Sequence, residues 1–540
     1  MRPAGRWGAT AWSCSIAITV AAWSIVRWPA PMWMLADIDC AHQLGGASQI
    51  LRGEHPFVDW HTDYGALRYY PSAAAQVLFG RRTLAELLLD TTAYTVAYTL
   101  LFHLLRAASG RRAAAAGAVL AIALLLMPWM SRYYTVLGPV LCLAAAWRYI
   151  GRPSRASLAL LAAAVVVMGL FRADFGGFTA VAAVVAIGTG GGSGRARAVE
   201  IGRFLAIAML FLSPWLIWLA HRGAVERYLT DTFFTAPVHA ASMALPFPRH
   251  DPSVPFHERG NATFLLFVTF HALPAVALVT TLCKGVCVDV VERRRIATTA
   301  VLAQMVLLHT AHRSDYPHLA QAIPTGLVLL AWLLGRALDI HPIPFGAVGR
   351  PGLAAIGLLL AVPAWAGLQV EGWPRVDLRR AFETAQLHAM PLDQMVARLS
   401  AAHPGDASLG AIEYVRRCTA PTDRVVALPP MLGLYYFADR PFAGNLPAWS
   451  PGFFSATADQ AAWIARVRGQ RPRMVVGDLG SGFDGRPERS FAVYSKLISE
   501  YVSTQFVPIA VFGSIVVRAP IGTAHPVAGG ADGRPACPEG

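Results

Sequence analysis

The chain is built from repeated uninterrupted apolar runs, and these constrain its fold more than any other feature. Each run is about 15–22 residues long, close to the roughly 20 residues that a helix needs to cross a bilayer. We therefore predict an α-helical polytopic membrane protein with about eleven transmembrane helices. The runs occupy positions 9–26, 84–105, 113–130, 133–150, 156–171, 175–189, 202–220, 262–282, 296–311, 321–337 and 351–369.

The charge content of the chain supports a membrane location and argues against a nucleic-acid partner. Only 14% of the residues are charged, whereas a soluble domain carries roughly 25%. The formal net charge is +14, and arginine supplies almost all of the positive residues. These arginines lie at the ends of apolar runs, not in a patch with interleaved aromatics, so we expect no nucleic-acid binding.

The basic residues also predict the orientation of the chain. They cluster on alternate connections, at 106–112, 148–155, 195–197, 284–295 and 336–350. Basic loops face the cytoplasm, so these connections are predicted there. The intervening segments then face outward, and the protein is expected in the cytoplasmic (inner) membrane with multiple spans. The outward segments are 27–83, about 128–133, 172–174, 221–261, 312–320 and everything after 370.

The chain changes character after position 370. Residues 371–520 are polar, with strands predicted at 424–428, 474–476, 506–512 and 514–517, and helices at 408–418, 457–468 and 490–503. Strands that alternate with helices predict an extracytoplasmic α/β domain following a transmembrane domain of residues 1–370. The Gly/Pro/Ala-rich tail, 521–540, is expected to be disordered.

The α/β domain offers no catalytic set of its own. Its aromatic residues are predicted in the domain core or at an interface, in preference to stacking on sugar rings. We expect the domain to cap a site or to bind an acceptor. The residues concerned are Tyr435, Tyr436, Trp449 and Trp463.

The cysteines do not define a metal site. Cys283 and Cys287 form an isolated C-x3-C pattern on a predicted cytoplasmic loop, and without a second pair they are interpreted as packing thiols. Cys40 and Cys418 both lie on predicted outward segments. In an oxidising compartment they could form a disulfide, and the sequence alone leaves this open.

Ionisable residues collect in the first outward loop, 27–83. They are expensive to desolvate, so their position at the end of an apolar run predicts a function. The segment 40–53 is amphipathic and is predicted to form a helix along the membrane interface. The ionisable and aromatic candidates are Asp37, Asp39, His42, Asp59, His61, Asp63 and Tyr64.

Two aspartates of this loop are candidates for a general base. A partly desolvated carboxylate at the end of a span can accept a proton from a substrate hydroxyl. Asp37 and Asp39 are two residues apart and would diverge by roughly 200° on a helix. Only one of them should therefore face a shared cavity, and the alternative for either is a helix cap or a surface carboxylate.

A second group of polar residues lies on other outward segments. Arg313 is flanked by His312, Asp315 and His318, and a guanidinium suits phosphate because it donates two parallel hydrogen bonds. The alternative is an Arg313–Asp315 or Arg313–Asp174 pair that only ties loops together. Arg172 and Asp174 interrupt another apolar run and could equally form an interhelical salt bridge. His309 lies shortly before Arg313 in the sequence.

These residues resemble the GT-C superfamily of polytopic glycosyltransferases. The resemblance rests on an acidic residue after the first span, the small-residue helix Gly46–Gly53, the run Pro56–Trp60, and the turn Asp63–Gly65 before Tyr69 and Tyr70. The superfamily includes protein mannosyltransferases, lipid A aminoarabinose transferases and arabinosyltransferases. The resemblance extends over most of the chain, as a pattern of many spans followed by one outer α/β domain.

The resemblance implies a function and residue roles. It implies transfer of a sugar from a polyprenyl-phosphate donor to a glycan, lipid or protein acceptor. Asp39 takes the place of the catalytic acidic residue, and Arg313 resembles a residue that holds the donor phosphate, with His312 or His318 assisting. Many members have Asp-Glu or Asp-Asp where this chain has Asp39-Cys40, so the choice between Asp37 and Asp39 stays open. Some members bind a divalent metal, which the carboxylates here would permit but do not require.

Other site residues and other functions complete the prediction. The substrate-binding candidates are Asp59, Asp63, Tyr64, Arg172, Asp174 and Asp315. A transporter or flippase of a lipid-linked or anionic substrate is the alternative function, and it typically has polar groups near the bilayer middle and an inverted repeat. We find neither pattern. A non-catalytic scaffold would explain the C-terminal domain but not the acidic loop.

Overall fold

A computed structural model of the protein describes most of the chain. The described residues are 6–110, 115, 117–119, 131–255, 258–282, 289–339, 365, 376–483, 486–522 and 535–538. The predicted spans 113–130 and 351–369 lie almost entirely outside this set. Cys283 and Cys287 lie outside it as well.

The described part of the chain is mainly helical. The helices at the predicted spans end within a few residues of the apolar runs, and several of them begin up to eight residues before the run does. In chain order the α-helices are α1 (Arg6–Val26), α2 (Pro31–Ala36), α3 (Ile38–Ile50), α4 (Tyr70–Phe79), α5 (Thr83–Ser109), α6 (Tyr133–Gly151), α7 (Arg155–Phe171), α8 (Ala173–Gly188), α9 (Gly194–His221), α10 (Val225–Thr230), α11 (Ala236–Ser242), α12 (Arg259–Leu282), α13 (Val290–His312), α14 (Tyr316–Asp339), α15 (Leu378–Ala389), α16 (Leu392–Ala402), α17 (Ala407–Cys418), α18 (Leu434–Phe437), α19 (Thr457–Gln470), α20 (Phe491–Tyr494) and α21 (Lys496–Gln505).

Several helices have the length and composition of membrane spans. Among the described residues, α9, α12 and Tyr316–Arg336 of α14 are long and apolar enough to cross a bilayer. Shorter apolar helices occur at Thr10–Val26, Arg155–Phe171 and Ala173–Gly188. This architecture confirms the prediction of a polytopic helical fold.

Contacts between residues divide the chain into two compact units. The first contains residues 1–27, 90–214 and 244–381, and the second contains residues 28–89, 215–243 and 382–540. The first outward loop therefore belongs to the same unit as the C-terminal domain, and this unit also includes part of the 221–261 loop.

The first unit is a set of packed helices. Helices α7 and α8 form a hairpin, and both α6 and α13 also pack on α8. The hairpin is close because Gly169 and Gly176 face each other: a Cβ atom on Gly176 would lie 2.4 Å from the Gly169 Cα. Helix α7 begins in a capping box, in which Ser154 and Ser157 each bind the backbone of the other. Such a box satisfies N–H groups that have no partner inside the helix.

The second unit contains a four-stranded mixed sheet. Its strands are β1 (Val425–Ala427), β2 (Met474–Gly477), β3 (Phe506–Phe512) and β4 (Ile515–Pro520). Their order across the sheet is β1-β2-β4-β3, with β1 and β2 parallel and the other two pairings antiparallel. Helix α17 packs on β3 and β4. These elements confirm the predicted C-terminal α/β fold.

The aromatic residues of this domain form its core, as predicted. Trp449 and Trp463 are buried and their rings meet edge to face at 5.1 Å. The Trp449 Nε1–H donates to the Ala427 carbonyl of β1 at 3.0 Å. Tyr435 and Tyr436 are also buried. The four rings therefore stabilise the domain by apolar burial, and they do not form a sugar-binding platform.

The disulfide of the C-terminal domain differs from the pairing considered from the sequence. Cys418, at the end of α17, is bonded to Cys537, which is 119 positions further along the chain. Cys40 is instead a buried thiol on α3. The tail was expected to be disordered, but residues 535–538 are held on the domain: the Tyr414 hydroxyl donates to the Ala536 carbonyl at 2.8 Å.

We predict that the Cys418–Cys537 bond stabilises the folded protein substantially. A crosslink that closes a loop of this length removes conformational entropy from the unfolded chain, worth roughly 4–5 kcal/mol in the loop-entropy treatment. Reduction of the purified protein should therefore lower the melting temperature of the C-terminal domain. The double variant Cys418→Ser/Cys537→Ser is the control: it should melt at the lower temperature with and without reductant. An unchanged melting temperature on reduction would contradict the prediction.

Candidate functional site

The start of helix α3 distinguishes the two candidate aspartates. Asp37 is the N-cap of this helix, and its Oδ1 accepts a hydrogen bond from the Cys40 N–H at 2.8 Å. Aspartate is preferred at this position because its carboxylate satisfies a backbone donor that has no partner within the helix. Asp39 lies in the first turn and is only 7% exposed. The Asp37 carboxylate thus caps its own helix, whereas the Asp39 side chain is buried within the second unit.

Asp39 is bound by a buried arginine that the sequence analysis did not identify. Arg68 Nη2 donates to Asp39 Oδ1 at 3.0 Å and to the Asp39 carbonyl at 2.9 Å. The Tyr64 hydroxyl donates to the same Oδ1 at 3.2 Å. Arg68 is fully buried, and its guanidinium stacks 3.6 Å from the centre of the Tyr64 ring. An ion pair and a cation–π contact therefore compensate for the removal of this arginine from water.

The turn that carries Arg68 explains one motif of the first loop. Asp63-Tyr64-Gly65 leads into a single 3₁₀ turn, Ala66–Arg68.

Gly46 of α3 has no space for a side chain, because a Cβ atom there would lie 2.5 Å from the Tyr69 ring. The small residues of α3 thus allow the helix to approach the aromatic residues that follow the turn.

His42 lies one turn after Asp39 and is neutral at physiological pH. Burial, assisted by the nearby Arg68 charge, lowers the pKa of His42 to about 4. Its Nε2 is 3.1 Å from the Tyr69 hydroxyl, which is in turn 2.7 Å from Thr62 Oγ1. A neutral imidazole in such a chain can exchange hydrogen bonds with a polar ligand without adding charge to the site.

Asp63 takes part in a chain of three side chains from distant segments. Asp63 Oδ2 is 2.6 Å from His239 Nδ1, and His239 Nε2 is 3.0 Å from the Ser450 hydroxyl. Burial alone would raise the pKa of Asp63, but the His239 contact together with the nearby His42 and Arg68 outweighs it, and the pKa is lowered. The carboxylate therefore stays ionised and accepts the Nδ1 proton of His239, while His239 Nε2 faces the Ser450 hydroxyl.

A second histidine–aspartate pair lies beside the first in sequence. His61 Nδ1 is 3.0 Å from Asp231 Oδ1. Burial raises the pKa of Asp231, against the opposing effect of His61. Asp231 opens a five-residue π-helix, Asp231–Thr235, and such π-turns occur frequently at functional sites.

The remaining candidate of the first loop has a local role. Asp59 Oδ2 accepts a hydrogen bond from the His55 N–H at 2.7 Å. The carboxylate closes the tight loop that contains Phe57, a residue with positive φ. This geometry resembles a side-chain-stabilised turn, and it accounts for Asp59 without a ligand.

The second group of candidates comes together within the first unit. Arg172 Nε donates to Asp174 Oδ1 at 2.8 Å, and Arg172 Nη2 is 3.3 Å from His309 Nδ1. The same His309 nitrogen is 3.6 Å from Asp174 Oδ2. Three residues from two segments of the chain thus form one polar cluster at the start of α8 and the end of α13.

Arg313, Asp315 and His318 extend this cluster. Arg313 Nε donates to Asp315 Oδ2 at 3.0 Å, and His318 Nδ1 is 2.5 Å from Asp315 Oδ1. Burial would raise the pKa of Asp315, but its contacts with His318 and the Arg313 charge together outweigh this effect, and the pKa is lowered. The His309 and His318 rings are 5.4 Å apart. The side chain of His312 lies outside the described residues.

Both sites are rich in polar groups, but neither has the donor set of a metal centre. Among the described residues, no group of three or more His, Cys, Asp or Glu side chains is arranged to hold a metal ion. In each histidine–aspartate pair the imidazole nitrogen instead contacts the carboxylate directly.

The fold resembles solved structures of ArnT. One is the crystal structure of ArnT from Cupriavidus metallidurans bound to undecaprenyl phosphate, with a TM-score of 0.52 and 13% sequence identity over 96% of this chain and 99% of that one. The apo structure of the same protein gives a TM-score of 0.48 and 14% identity over 95% and 98%. No protein-family model matches the chain, and no curated protein sequence matches it significantly. The similarity to the structure with bound undecaprenyl phosphate extends over nearly the whole chain, and it confirms the predicted fold class of a helical polytopic protein with a C-terminal α/β domain.

We predict that mild acid destabilises the second unit through its buried histidines. The folded-state pKa of His42 and of His388 is about 4, below the usual 6.5. Because the pKa is lower in the folded state, the unfolded state binds the proton more tightly and is favoured at acid pH. The contribution of these histidines to stability is therefore complete above pH 6.5 and is lost progressively as the pH falls toward 4.

The measurement is the free energy of unfolding of the purified protein between pH 7.5 and pH 4.5. His388 is the better residue for a variant because it lies away from Asp39: its Nε2 donates to the Pro29 carbonyl at 2.8 Å, and its Nδ1 is 2.7 Å from Thr83 Oγ1. His388→Gln removes the titrating group and should flatten the pH profile relative to wild type. Parallel profiles for the two proteins would contradict the prediction.

Proposed function

We propose that this protein is a membrane glycosyltransferase that moves a sugar from a polyprenyl-phosphate donor to an acceptor hydroxyl at the outer face of the cytoplasmic membrane. The observation that carries the proposal is the Asp39 carboxylate, held by the buried Arg68 and by Tyr64 in the first loop. The ArnT fold supports it, since ArnT from Cupriavidus metallidurans has been crystallised with undecaprenyl phosphate.

Asp39 is the proposed general base, in preference to Asp37. The Asp37 carboxylate is engaged at the N-cap of α3, whereas Asp39 Oδ1 is oriented by two side-chain donors of the site. A base that is already fixed in position loses little entropy when the substrate arrives. The neutral His42 and the ionised Asp63 lie in the same unit and are available to hydrogen-bond sugar hydroxyls.

The proposed reaction is a single displacement at the anomeric carbon. Asp39 accepts the proton of the acceptor hydroxyl as its oxygen attacks C1 from the face opposite the phosphate. The C1–O bond breaks, and the polyprenyl phosphate leaves with the bonding electrons. One displacement inverts the configuration at C1. Positive charge near the leaving oxygen stabilises the transition state.

Arg313 is the proposed ligand of the donor phosphate, with His312 and His318 assisting. Arg313 uses its Nε to bind Asp315, and this contact fixes the orientation of the guanidinium plane. Arg172 and Asp174 belong to the same cluster through His309. We assign Arg172, Asp174 and Asp315, together with Asp63 and Tyr64, to substrate binding or to positioning of the groups that bind it, whereas Asp59 holds its own tight loop through His55.

The disulfide supports an extracytoplasmic location for the C-terminal domain. Disulfides persist in oxidising compartments and are rare in the cytosol. The Cys418–Cys537 bond therefore agrees with the orientation inferred from the basic loops, in which the C-terminal domain faces outward. In this orientation the donor lipid enters from the outer leaflet, and the acceptor is a glycan, lipid or protein of the cell envelope.

We predict that Asp39→Asn abolishes sugar transfer and that Asp37→Asn does not. Asparagine keeps an oxygen for Arg68 but cannot take the acceptor proton, so transfer should fall by roughly 10²–10⁴-fold. Asparagine is as good an N-cap as aspartate, so Asp37→Asn is the matched control. The assay offers a panel of labelled polyprenyl-phosphate sugars to membranes that contain each variant at equal protein level.

Two outcomes of this assay would overturn the assignment. Full activity of Asp39→Asn would remove this carboxylate from the chemistry. Failure of the wild type to transfer from any donor would favour a transporter or flippase of a lipid-linked substrate. Asp39→Glu separates folding from chemistry, because it restores the negative charge beside Arg68 with a displaced oxygen.

We predict that Arg313→Gln weakens binding of the lipid donor. Loss of charge-assisted hydrogen bonds to phosphate costs about 1.5–3 kcal/mol, which corresponds to roughly a 10- to 150-fold increase in KM for the donor. Arg203→Gln is the matched control because Arg203 is an exposed arginine paired with Glu200 on α9. An unchanged KM, or a lower melting temperature with an unchanged KM, would show that Arg313 only ties loops together through Asp315.

A further inference from the structure

Residues 225–242 form a continuous helical segment with two chemically different sides. The segment consists of α10, the π-helix Asp231–Thr235, and α11. We call it the bridging segment. It was predicted only as part of an outward loop.

The inner side of the bridging segment is polar, and three of its side chains bind other parts of the second unit. Arg227 Nη1 donates to the Val58 carbonyl at 2.5 Å. Asp231 binds His61, and His239 binds both Asp63 and Ser450. The backbone of α11 also packs against the turn at 452, where a Cβ atom on Gly452 would lie 2.9 Å from the Val238 carbonyl.

The outer side of the segment is apolar and exposed. The exposed fractions are 42% for Leu229, 58% for Phe233, 70% for Phe234 and 57% for Val238. Among the exposed positions of the segment, only Glu226, in its first turn, carries a charge. The four large side chains follow helical spacing, so they form one stripe. An apolar stripe of this kind on a folded protein marks a surface that has a partner.

The start of the segment indicates that this partner is lipid. Only three residues separate it from α9, a helix of mean hydropathy 1.9 that is long enough to span a membrane. Trp215 and Trp218, near the end of α9, stack at 5.0 Å, and Tyr228 packs against Trp215 at 6.4 Å. Tryptophan and tyrosine are enriched at the boundary between lipid and water. The apolar stripe therefore begins where the chain leaves the bilayer.

We propose that the bridging segment docks on the surface of the lipid bilayer, with Leu229, Phe233, Phe234 and Val238 inserted among the outer acyl chains. An amphipathic helix with this division of sides lies in the plane of the interface. The uncharged outer stripe fits acyl chains, and the polar inner side satisfies its hydrogen bonds within the protein. The docking does not depend on the glycosyl transfer proposed above.

The geometry gives the docked segment a second consequence. Along the segment, the residues of the apolar stripe are interspersed with Asp231 and His239. These two residues bind His61 and Asp63 of the first loop. Lipid contact on one side of the helix therefore fixes the position of two histidine–aspartate pairs on the other. His239 acts as a positioning residue in this arrangement, through its contact with Asp63.

A spin label at position 234 tests the docking directly. Phe234→Cys is made in the full chain after Cys14, Cys283 and Cys287 are replaced by serine, labelled, and reconstituted into phosphatidylcholine–phosphatidylglycerol vesicles. Collision rates with oxygen, which concentrates in lipid, and with a water-soluble nickel chelate are then measured. Glu500→Cys is the control, since Glu500 is an exposed charged residue of α21.

The docked segment predicts opposite results at the two positions. At 234 the oxygen collision rate exceeds the nickel rate, whereas at 500 the nickel rate exceeds the oxygen rate. A label at 234 that collides with nickel as often as the control would overturn the proposal, and so would a label shielded from both reagents, which would indicate a protein partner or a second copy. Val238→Cys provides a second position on the stripe, and none of these readouts requires sugar transfer.

Discussion

The buried ion pair between Asp39 and Arg68 is the interaction on which the proposed site depends. Neither group can be removed from water at low cost, and each lowers that cost for the other. Arg68 is fully buried and reaches two oxygens of Asp39. The pair thereby joins helix α3 to the turn after Gly65, and it places the carboxylate beside Tyr64. Every role proposed for the first loop requires this turn to be closed.

The helices and strands could be predicted from the sequence because their determinants are local. The apolar runs at 156–171 and 262–282 became α7 and α12 with nearly the same bounds, since the thickness of a bilayer fixes how long such a run must be. The period-2 run at 506–512 became β3. The capping role of Asp37 is also local, yet the sequence could not separate it from Asp39, because both residues are consistent with a helix start.

The long-range contacts of the site could not be predicted in the same way. Asp63 pairs with His239, and His61 pairs with Asp231, across separations of 176 and 170 residues. No motif marks His239 or Asp231, and their partners are set by how the bridging segment folds onto the first loop. The disulfide shows the same limit: Cys40 and Cys418 were a reasonable pair by compartment, but the chain brings Cys537 within a Cα distance of 5.2 Å of Cys418. The cellular compartment and the residue types limit which residues can pair, but the tertiary structure decides which of these pairs form.

A double-mutant cycle on Asp39 and Arg68 tests the central pair most directly. The free energy of unfolding is measured for wild type, Asp39→Asn, Arg68→Met and the double variant. Breaking a buried pair leaves one uncompensated charge and costs about 3–5 kcal/mol, whereas removing both charges costs less than the sum of the single changes. The structure therefore predicts a coupling energy above about 1 kcal/mol. Single changes that add within about 0.5 kcal/mol would contradict the account, because the two side chains would then be independent.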